Sequence, residues 1–349
     1  MAKLLNHHKV SKEIPRDPSE KPIVSTNLTQ ENDRTPFFSV CIPTYNRATE
    51  IHQAIDSILS QDFTDFELVI CDNASTDNTE EVIRGYNDQR IRYVKYSSLV
   101  SMYANHNRCI DLAASNWLIF VHSDDYIEPN TLSSYHKTII ATTAEDSTAI
   151  YFSSFKSHPY SWQNQQIKGL DAVFEFLKHG FFPPTCNAFN IKFFRAKNLY
   201  FYENSVFADA MLLCHICLKE NAVLMPVPAV SQTWDMYRGS YKNILSSYLN
   251  VSHWKDIAFY LKENLTQSQV STLINEMKTW DENTISHLLY RFSCIGWWDF
   301  VDQSIKDLSK SGIEFKNGHY YKHILVLRYL GTKIHKELYS LTKRTQKIV

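Results

Sequence analysis

The 349-residue chain is 44% hydrophobic and 13% aromatic, enough apolar material to bury a core in one large domain or two smaller ones. Its 36 basic and 37 acidic side chains nearly cancel, which leaves no positive field for non-specific nucleic-acid binding, so no nucleic-acid partner is expected. Seven scattered cysteines and a polar start argue against a disulfide framework and for a reducing, cytoplasmic setting, and no apolar run of about 18 residues can span a membrane.

Residues 1–36 are polar, carry Pro15, Pro18 and Pro22, and lack apolar periodicity; such a segment cannot offset its own ordering entropy and is expected to be a flexible extension. From Phe38 onward, apolar runs at Ser39 to Ile42, Glu67 to Cys71, Ile91 to Tyr96, Trp117 to Val121 and Ala149 to Phe152 read as strands. Between them, Ile51, Ile55, Ile58 and Leu59 recur at helical spacing, a second helix is expected from Asn78 to Tyr86 behind Thr76 or Asp77, and a third from Tyr103 to Ala114. This β-α-β-α order predicts a mainly parallel sheet covered by helices, with ligands beyond the carboxyl ends of the strands. After about Leu245 amphipathic stretches dominate, including Leu261 to Leu289 and Ile324 to Leu341, and a helical C-terminal region is expected. Only eight glycines are present, and none forms a G-x-G-x-x-G or Walker-type loop, which disfavours those two nucleotide-binding solutions.

Three expected strands run into polar clusters: Pro43-Thr44-Tyr45-Asn46-Arg47, Asp72-Asn73-Ala74-Ser75-Thr76-Asp77 and His122-Ser123-Asp124-Asp125. Each alone is compatible with turn and cap chemistry, the preferred reading for Asp77. Adjacent carboxylates at Asp124 and Asp125 repel unless a cation or hydrogen bonds compensate them. Hard oxygen ligands suit Mn2+ or Mg2+, and such ions share the phosphates of a substrate. Taken alone the pair is a helix cap or an ion site; three clusters converging on one sheet edge favour the ion and a diphosphate-bearing substrate.

The segments F-S-V-C-I-P-T-Y-N-R, F-E-L-V-I-C-D-N-A-S-T-D-N-T and W-L-I-F-V-H-S-D-D-Y-I-E-P resemble the ordered motifs of the family 2 inverting glycosyltransferases, over about Phe37 to Arg238. The resemblance implies an α/β fold of GT-A type with a Rossmann-like mixed sheet over 37–240, a helical region over 241–349, and transfer of a sugar from a nucleoside-diphosphate sugar, UDP-sugar by default, to a glycan or lipid-linked acceptor. It implies a donor surface of Pro43, Thr44, Tyr45, Arg47, Asp72, Asn73, Asn107, Asp124 and Arg238, with Asp72 on the base. Asp125, with Asp124, would hold Mn2+ or Mg2+.

Asp209, at the start of an apolar helix, resembles the family's general base, with Glu203 in reserve; a dipole-favoured helix-start aspartate is the structural alternative. His122 stands where many relatives carry an acid, and His106 where an arginine is common. The segment Trp234-Asp235-Met236-Tyr237-Arg238 lacks a histidine often found there, which leaves the ion's further ligands open. These departures keep a competing reading in view, a non-catalytic nucleotide-sugar-binding or assembly subunit. Cys214 and Cys217 form a C-x-x-C that reads as helix packing. The basic, amphipathic C-terminal stretch, with Leu327, Leu330, Ile334 and Leu338 on one stripe, suits either packing against the protein or peripheral contact with the inner face of the plasma membrane.

Overall fold

A computed structural model describes residues 22–25, 35–142, 148–155, 166–179, 187–203, 205, 208–220, 222–233, 251–313, 323–324 and 328. The chain divides into two compact units, residues 1–172 with 181–238, and residues 173–180 with 239–349. Residues 173–180 therefore leave the expected 37–240 domain and group with the C-terminal unit, a return of the chain that a linear reading does not reveal.

In the first unit β1 (Val24–Ser25) precedes β2 (Phe38–Thr44), α1 (Ile51–Leu59), β3 (Phe66–Asp72), α2 (Thr79–Arg84), β4 (Ile91–Lys95), α3 (Met102–Leu112) and β5 (Trp117–Phe120). There follow β6 (Tyr126–Ile127), α4 (Thr131–Ala141), β7 (Thr148–Phe155), β8 (Ile167–Lys168), then α5 (Gly169–His179), which from residue 173 on belongs to the second unit, and β9 (Asn187–Asn190), α6 (Ile191–Ala196), α7 (Ala208–Lys219) and β10 (Val223–Thr233). The described strands form one ten-stranded sheet in the order β1-β4-β3-β2-β5-β9-β7-β10-β6, with β8 pairing β10.

Strands β4, β3, β2 and β5 run parallel, in register Thr44 to Asp72 and Cys41 to Phe120, and β9 joins antiparallel to both β5 and β7. The sheet is mixed, as the resemblance implies, rather than mainly parallel as the element order alone suggests, because β9 inserts antiparallel between β5 and β7. Val24 and Ser25 pair with Val94 and Lys95 of β4, which corrects the expectation of a wholly flexible segment before residue 37: a short strand covers β4's otherwise open hydrogen-bonding edge.

Strands β2 and β3 are buried on both faces, as central parallel strands are. On one face Phe38, Val40, Ile42, Leu68, Ile70, Ile119 and Val121 pack with Ile51, Ala54, Ile55 and Ile58 of α1 and Leu132, Tyr135 and Ile139 of α4. Each fully buried aliphatic side chain contributes about 1.5–3 kcal/mol, so the stripe read from α1 is what holds it to the sheet. On the other face α3 brings Asn105 beside β3, its Nδ2 donating to Cys71 O at 3.0 Å and its Oδ1 accepting from Cys71 Sγ at 3.3 Å. The chain builds outward through β2, β3 and β4 and returns to place β5 on the other side of β2. The order therefore reverses between β2 and β5, where ligands of open α/β sheets bind.

In the second unit α8 (Val251–Asn264), α9 (Gln267–Met277), α10 (Glu282–Cys294) and α11 (Trp298–Lys310) follow one another. The amphipathic stretch Leu261 to Leu289 spans three of these helices, because caps interrupt it. Thr266 and Gln269 form a reciprocal capping box, and Asp281 accepts from the Asn283 and Thr284 amides, both at 3.0 Å. The Thr284 hydroxyl and amide hold the Asp281 carboxyl below its ordinary pKa, so this stability is present above about pH 4 and is lost as pH falls through the lowered value. Replacing the cap, Asp281→Ala, should cost about 1 kcal/mol, read as a lower urea midpoint at pH 7 whose difference from wild type shrinks in acid. The stretch Ile324 to Leu341 lies outside the described residues except for Ile324 and Arg328. Among the described residues no helix is long and apolar enough to cross a membrane.

Candidate functional site

The loops after β2 and β3 are fastened to each other. Asn46 N donates to Ser75 Oγ at 2.9 Å, Arg47 N to Thr79 Oγ1 at 2.9 Å, and Thr76 N to Asn46 Oδ1 at 2.8 Å. Asn46 has φ 51°, a conformation asparagine tolerates well, while Ala74 holds φ 65° without that help. Asp77 takes Ala48 N on one carboxylate oxygen and Thr79 N on the other, both at 3.1 Å, which is the turn chemistry expected of it.

Asp72 is fully buried: Oδ1 accepts from Ser75 N at 2.7 Å and Oδ2 from the Tyr93 hydroxyl at 2.6 Å. Asn73 is likewise engaged inside the fold, exchanging hydrogen bonds of 2.9 Å with both main-chain groups of Val100 and accepting from Arg108 at 3.0 Å. These side chains shape the loop floor from within. Removing the Asp72 carboxylate strips two buried donors of their acceptor, at about 1–3 kcal/mol each. Asp72→Ala should therefore lower unfolding stability by about 3 kcal/mol, measured by urea titration, besides any effect on ligand. The solvent side of this edge is lined differently. Tyr45 is 40% exposed, Pro43 and Arg47 are half-buried, and the buried Thr44 Oγ1 has no hydrogen-bond partner among the described residues.

Beyond β5 the chain turns back on itself, Asp125 N donating to His122 O at 3.0 Å, which buries Asp125 to 1% exposure and leaves Asp124 half-buried. His122 Nδ1 lies 3.4 Å from Asp125 Oδ2, and its Nε2 lies 3.1 Å from Nε2 of His106. His106 Nδ1 is 2.8 Å from Met102 O. A carbonyl oxygen only accepts, so His106 carries its proton on Nδ1. Burial, with the nearby His122, drives the His106 pKa down to about 3, so its Nε2 is a bare acceptor and the proton between the two rings belongs to His122. Burial pulls His122 downward too, but the hydrogen bond and charge of Asp125, with the charges of Asp124 and Asp209, outweigh it and raise its pKa. His122 thus presents one nitrogen to an anion and the other to a neutral ring.

The third component arrives from a distant part of the chain. Asn107 accepts Phe201 N at 2.8 Å and donates to Phe201 O at 2.9 Å and Glu203 Oε1 at 3.2 Å, fixing the segment that leads into α7. Asn107 and Glu203 are spent on this join. At the start of α7, Asp209 is 8% exposed and accepts Ala210 N at 2.8 Å. Burial raises its pKa to about 6, against the opposing effects of Ala210 N–H, the Tyr103 hydroxyl and the charge of His122. The fold therefore brings Asp209 into electrostatic reach of the His122, Asp124 and Asp125 turn.

The pairing of His106 with His122 joins α3 to the loop after β5 and has no local signal in the sequence. Arg238 and its segment lie outside the described residues. Cys214 and Cys217 are buried in α7, with the Cys214 thiol pushed up to about 12 by burial, which fits packing. Among the described residues no group of three or more His, Cys, Asp or Glu side chains is arranged to hold a metal ion.

Residues 39–206, which contain the three strand-end clusters, match the sequence profile of glycosyl transferase family 2. Through this segment, just under half of its length, the chain is similar to that family. Its fold is of the GT-A type with a helical C-terminal region. A mannosyltransferase from Pyrobaculum calidifontis, solved with GDP-Man and Mn2+, superimposes with a TM-score of 0.54 over 94% of this chain and 91% of that one, at 14% identity. Among the curated relatives, the GalNAc(5)-diNAcBac-PP-undecaprenol beta-1,3-glucosyltransferase of Campylobacter jejuni is 34% identical over 28% of this chain and 33% of its own length. The Escherichia coli enzyme named UDP-Glc:alpha-D-GlcNAc-diphosphoundecaprenol beta-1,3-glucosyltransferase WfaP is 33% identical over 25% of this chain and 35% of its own. The chain matches between 10% and 40% of the length of its curated relatives.

Proposed function

We propose that this domain catalyses inverting transfer of one sugar from a nucleoside-diphosphate sugar to an acceptor hydroxyl, with Asp209 as general base. The observation that carries the reading is Asp209 itself, a buried carboxylate at the start of α7, raised to about 6 and within electrostatic reach of His122 in the turn that carries Asp124 and Asp125. A general base works best when its pKa lies near the operating pH, because it is then largely ionised and still basic enough to take a proton. Asp209 receives the acceptor's proton as that oxygen attacks the anomeric carbon. The bond from that carbon to the diphosphate oxygen breaks on the opposite face, and the electron pair leaves with the nucleoside diphosphate.

The donor set at the acidic turn fits a hard divalent ion. Asp124 and Asp125 would supply oxygen ligands, one side chain half-buried and one buried. Mn2+ or Mg2+ held there would neutralise the charge that develops on the departing diphosphate. Tyr45, Thr44, Pro43 and Arg47 supply the solvent-facing wall for the nucleoside, with Asp72 and Asn73 supporting that wall from beneath and Asn107 holding the segment that leads to Asp209. Arg238 completes the donor contacts.

A UDP-sugar is the favoured donor, in keeping with the UDP-glucose in the name of the Escherichia coli relative, and the acceptor class is a glycan or a lipid-linked diphosphate saccharide, as two relatives are named for. The reaction belongs on the cytoplasmic side, with the basic C-terminal stretch meeting the inner membrane face. Purified protein given Mn2+ or Mg2+ and a panel of nucleotide sugars should show an ion-dependent rise in melting temperature with UDP-sugars and release of UDP when acceptor is added. Absence of a shift with every nucleotide sugar would sink the donor assignment. A shift with no transfer to glycan or lipid-linked acceptors would favour a binding subunit.

A further inference from the structure

His106 of α3 is 1% exposed and packed among aromatic rings, with centroids 4.9 Å from Phe120, 5.4 Å from Tyr103 and 5.7 Å from Phe201. Leucine or phenylalanine would fill that space without the cost of burying a polar ring, so what its nitrogens touch decides what the residue does. Nδ1 lies 2.8 Å from Met102 O, and Nε2 lies 3.1 Å from Nε2 of His122. Because the carbonyl accepts, Nδ1 carries the His106 proton and Nε2 is the acceptor for His122 Nε2–H. The other nitrogen of His122, Nδ1, stands 3.4 Å from Oδ2 of Asp125, itself 1% exposed. One line of contacts therefore runs from the first turn of α3 to a carboxylate of the acidic turn.

Resting on the assignment of Asp125 to the divalent ion, we infer that His106 is a positioning residue for that carboxylate: by accepting from His122 Nε2–H it sets the His122 ring so that Nδ1 faces Asp125 Oδ2. Both ends of the line are fixed independently. Ser101 Oγ caps α3 by accepting Ala104 N at 3.2 Å, and Asn105 Nδ2 ties the helix to Cys71 O of β3 at 3.0 Å. At the other end Asp125 N donates to His122 O at 3.0 Å, which closes the turn. Within that frame the His122 ring is free only to rotate about its side-chain bonds, and the acceptor on His106 selects the rotation that meets Asp125. Hydrogen-bond partners one step behind a ligand hold it at the angle the ion requires, and losing one costs about 10- to 100-fold in metal affinity.

His106→Phe keeps a ring in the aromatic cluster and removes the acceptor, whereas His106→Gln can place a carbonyl oxygen near the position of Nε2. With UDP present, His106→Phe should raise the Mn2+ concentration for half-maximal thermal shift by about 10-fold or more, and His106→Gln should restore most of the wild-type response. Equal loss in the two variants would mean that shape rather than the acceptor matters, and would overturn the inference. Asp125→Asn is measured in parallel. If it loses the Mn2+ response while both His106 variants keep the wild-type one, the positioning role is overturned and the ion site stands. If the wild type shows no Mn2+-dependent shift with UDP, or Asp125→Asn keeps it, the ion assignment itself fails. Should His106→Phe not fold, 15N NMR of the histidine-labelled wild type carries the test. A nitrogen–nitrogen coupling across the Nε2–H···Nε2 bond is expected, and Mg2+ with UDP should shift the ring signals of both histidines. Absence of that coupling, or a His106 ring unmoved while His122 shifts, would overturn the inference.

Discussion

Asp209→Asn should lower kcat by about 10²- to 10⁴-fold, the range that a positioned general base contributes, while donor binding read by ion-dependent thermal shift stays at the wild-type level. The wild-type profile should show kcat rising with pH through about 6, since only ionised Asp209 accepts the proton. Stability gives a second, independent reading. The pKa is about 6 in the fold against an ordinary 3.8, so the stability linked to its protonation is fully present below about pH 4 and is lost as pH rises through 6. The difference amounts to about 3 kcal/mol carried as a cost at neutral pH, in a group only 8% exposed. Asn carries no such charge, so Asp209→Asn should melt no lower than wild type at pH 7 and lose that advantage near pH 4. An aspartate placed only to cap a helix behaves oppositely: its amide variant is less stable at neutral pH and keeps activity. Turnover within 10-fold of wild type, or a destabilised Asn variant, would remove Asp209 from the base role.

The sequence carried the parallel half of the sheet because its signals are local. Continuous apolar runs from Phe38, Phe66 and Trp117 mark strands buried on both faces, and the spacing of Ile51, Ile55 and Ile58 marks the helix that covers them. What it did not carry was pairing between segments far apart in the chain. Val24–Ser25 is too short to show alternation and exists as a strand because β4 has an open edge. Asn187–Asn190 has asparagine at both ends, poor strand formers, and is a strand because β5 and β7 flank it. The same limit governs the site. Polar residues after strands could be located from the motifs, but not whether each faces outward. Asp72, Asn73 and Asn107 carry the residue types of a donor surface, yet their hydrogen bonds run inward to Ser75, Tyr93, Val100 and Phe201. The meeting of His106, His122 and Asp209 depends on three separate segments converging, which no local pattern encodes.

That convergence makes Asp125→Asn the most informative change at the acidic turn. The substitution keeps the side chain's shape and removes one charge, so the turn closed by Asp125 N and His122 O is retained. Two consequences follow from the charge alone. Two carboxylates become one, so an ion bound there loses a charged oxygen ligand, and the ion-dependent thermal shift with UDP-sugar should disappear or need far higher Mn2+. Transfer should fall by about 10²- to 10³-fold, comparable to removing a group that stabilises developing charge on a leaving group. His122 simultaneously loses the anion responsible for most of its raised pKa, and burial then acts with less opposition, so the imidazole should titrate at lower pH than in the wild type, read from its ring-proton NMR signal. The two readouts separate the ion from the histidine. If Asp125 serves only as the anionic partner of His122, His122→Gln, which holds a neutral donor near the same place, should reproduce the loss of transfer. If Asp125 holds the ion, His122→Gln should keep a substantial ion-dependent shift while Asp125→Asn loses it. Equal loss in the two variants, with the Mn2+ requirement unchanged in both, would remove Asp125 from the ion site and leave the diphosphate charge to be met by other residues of the domain.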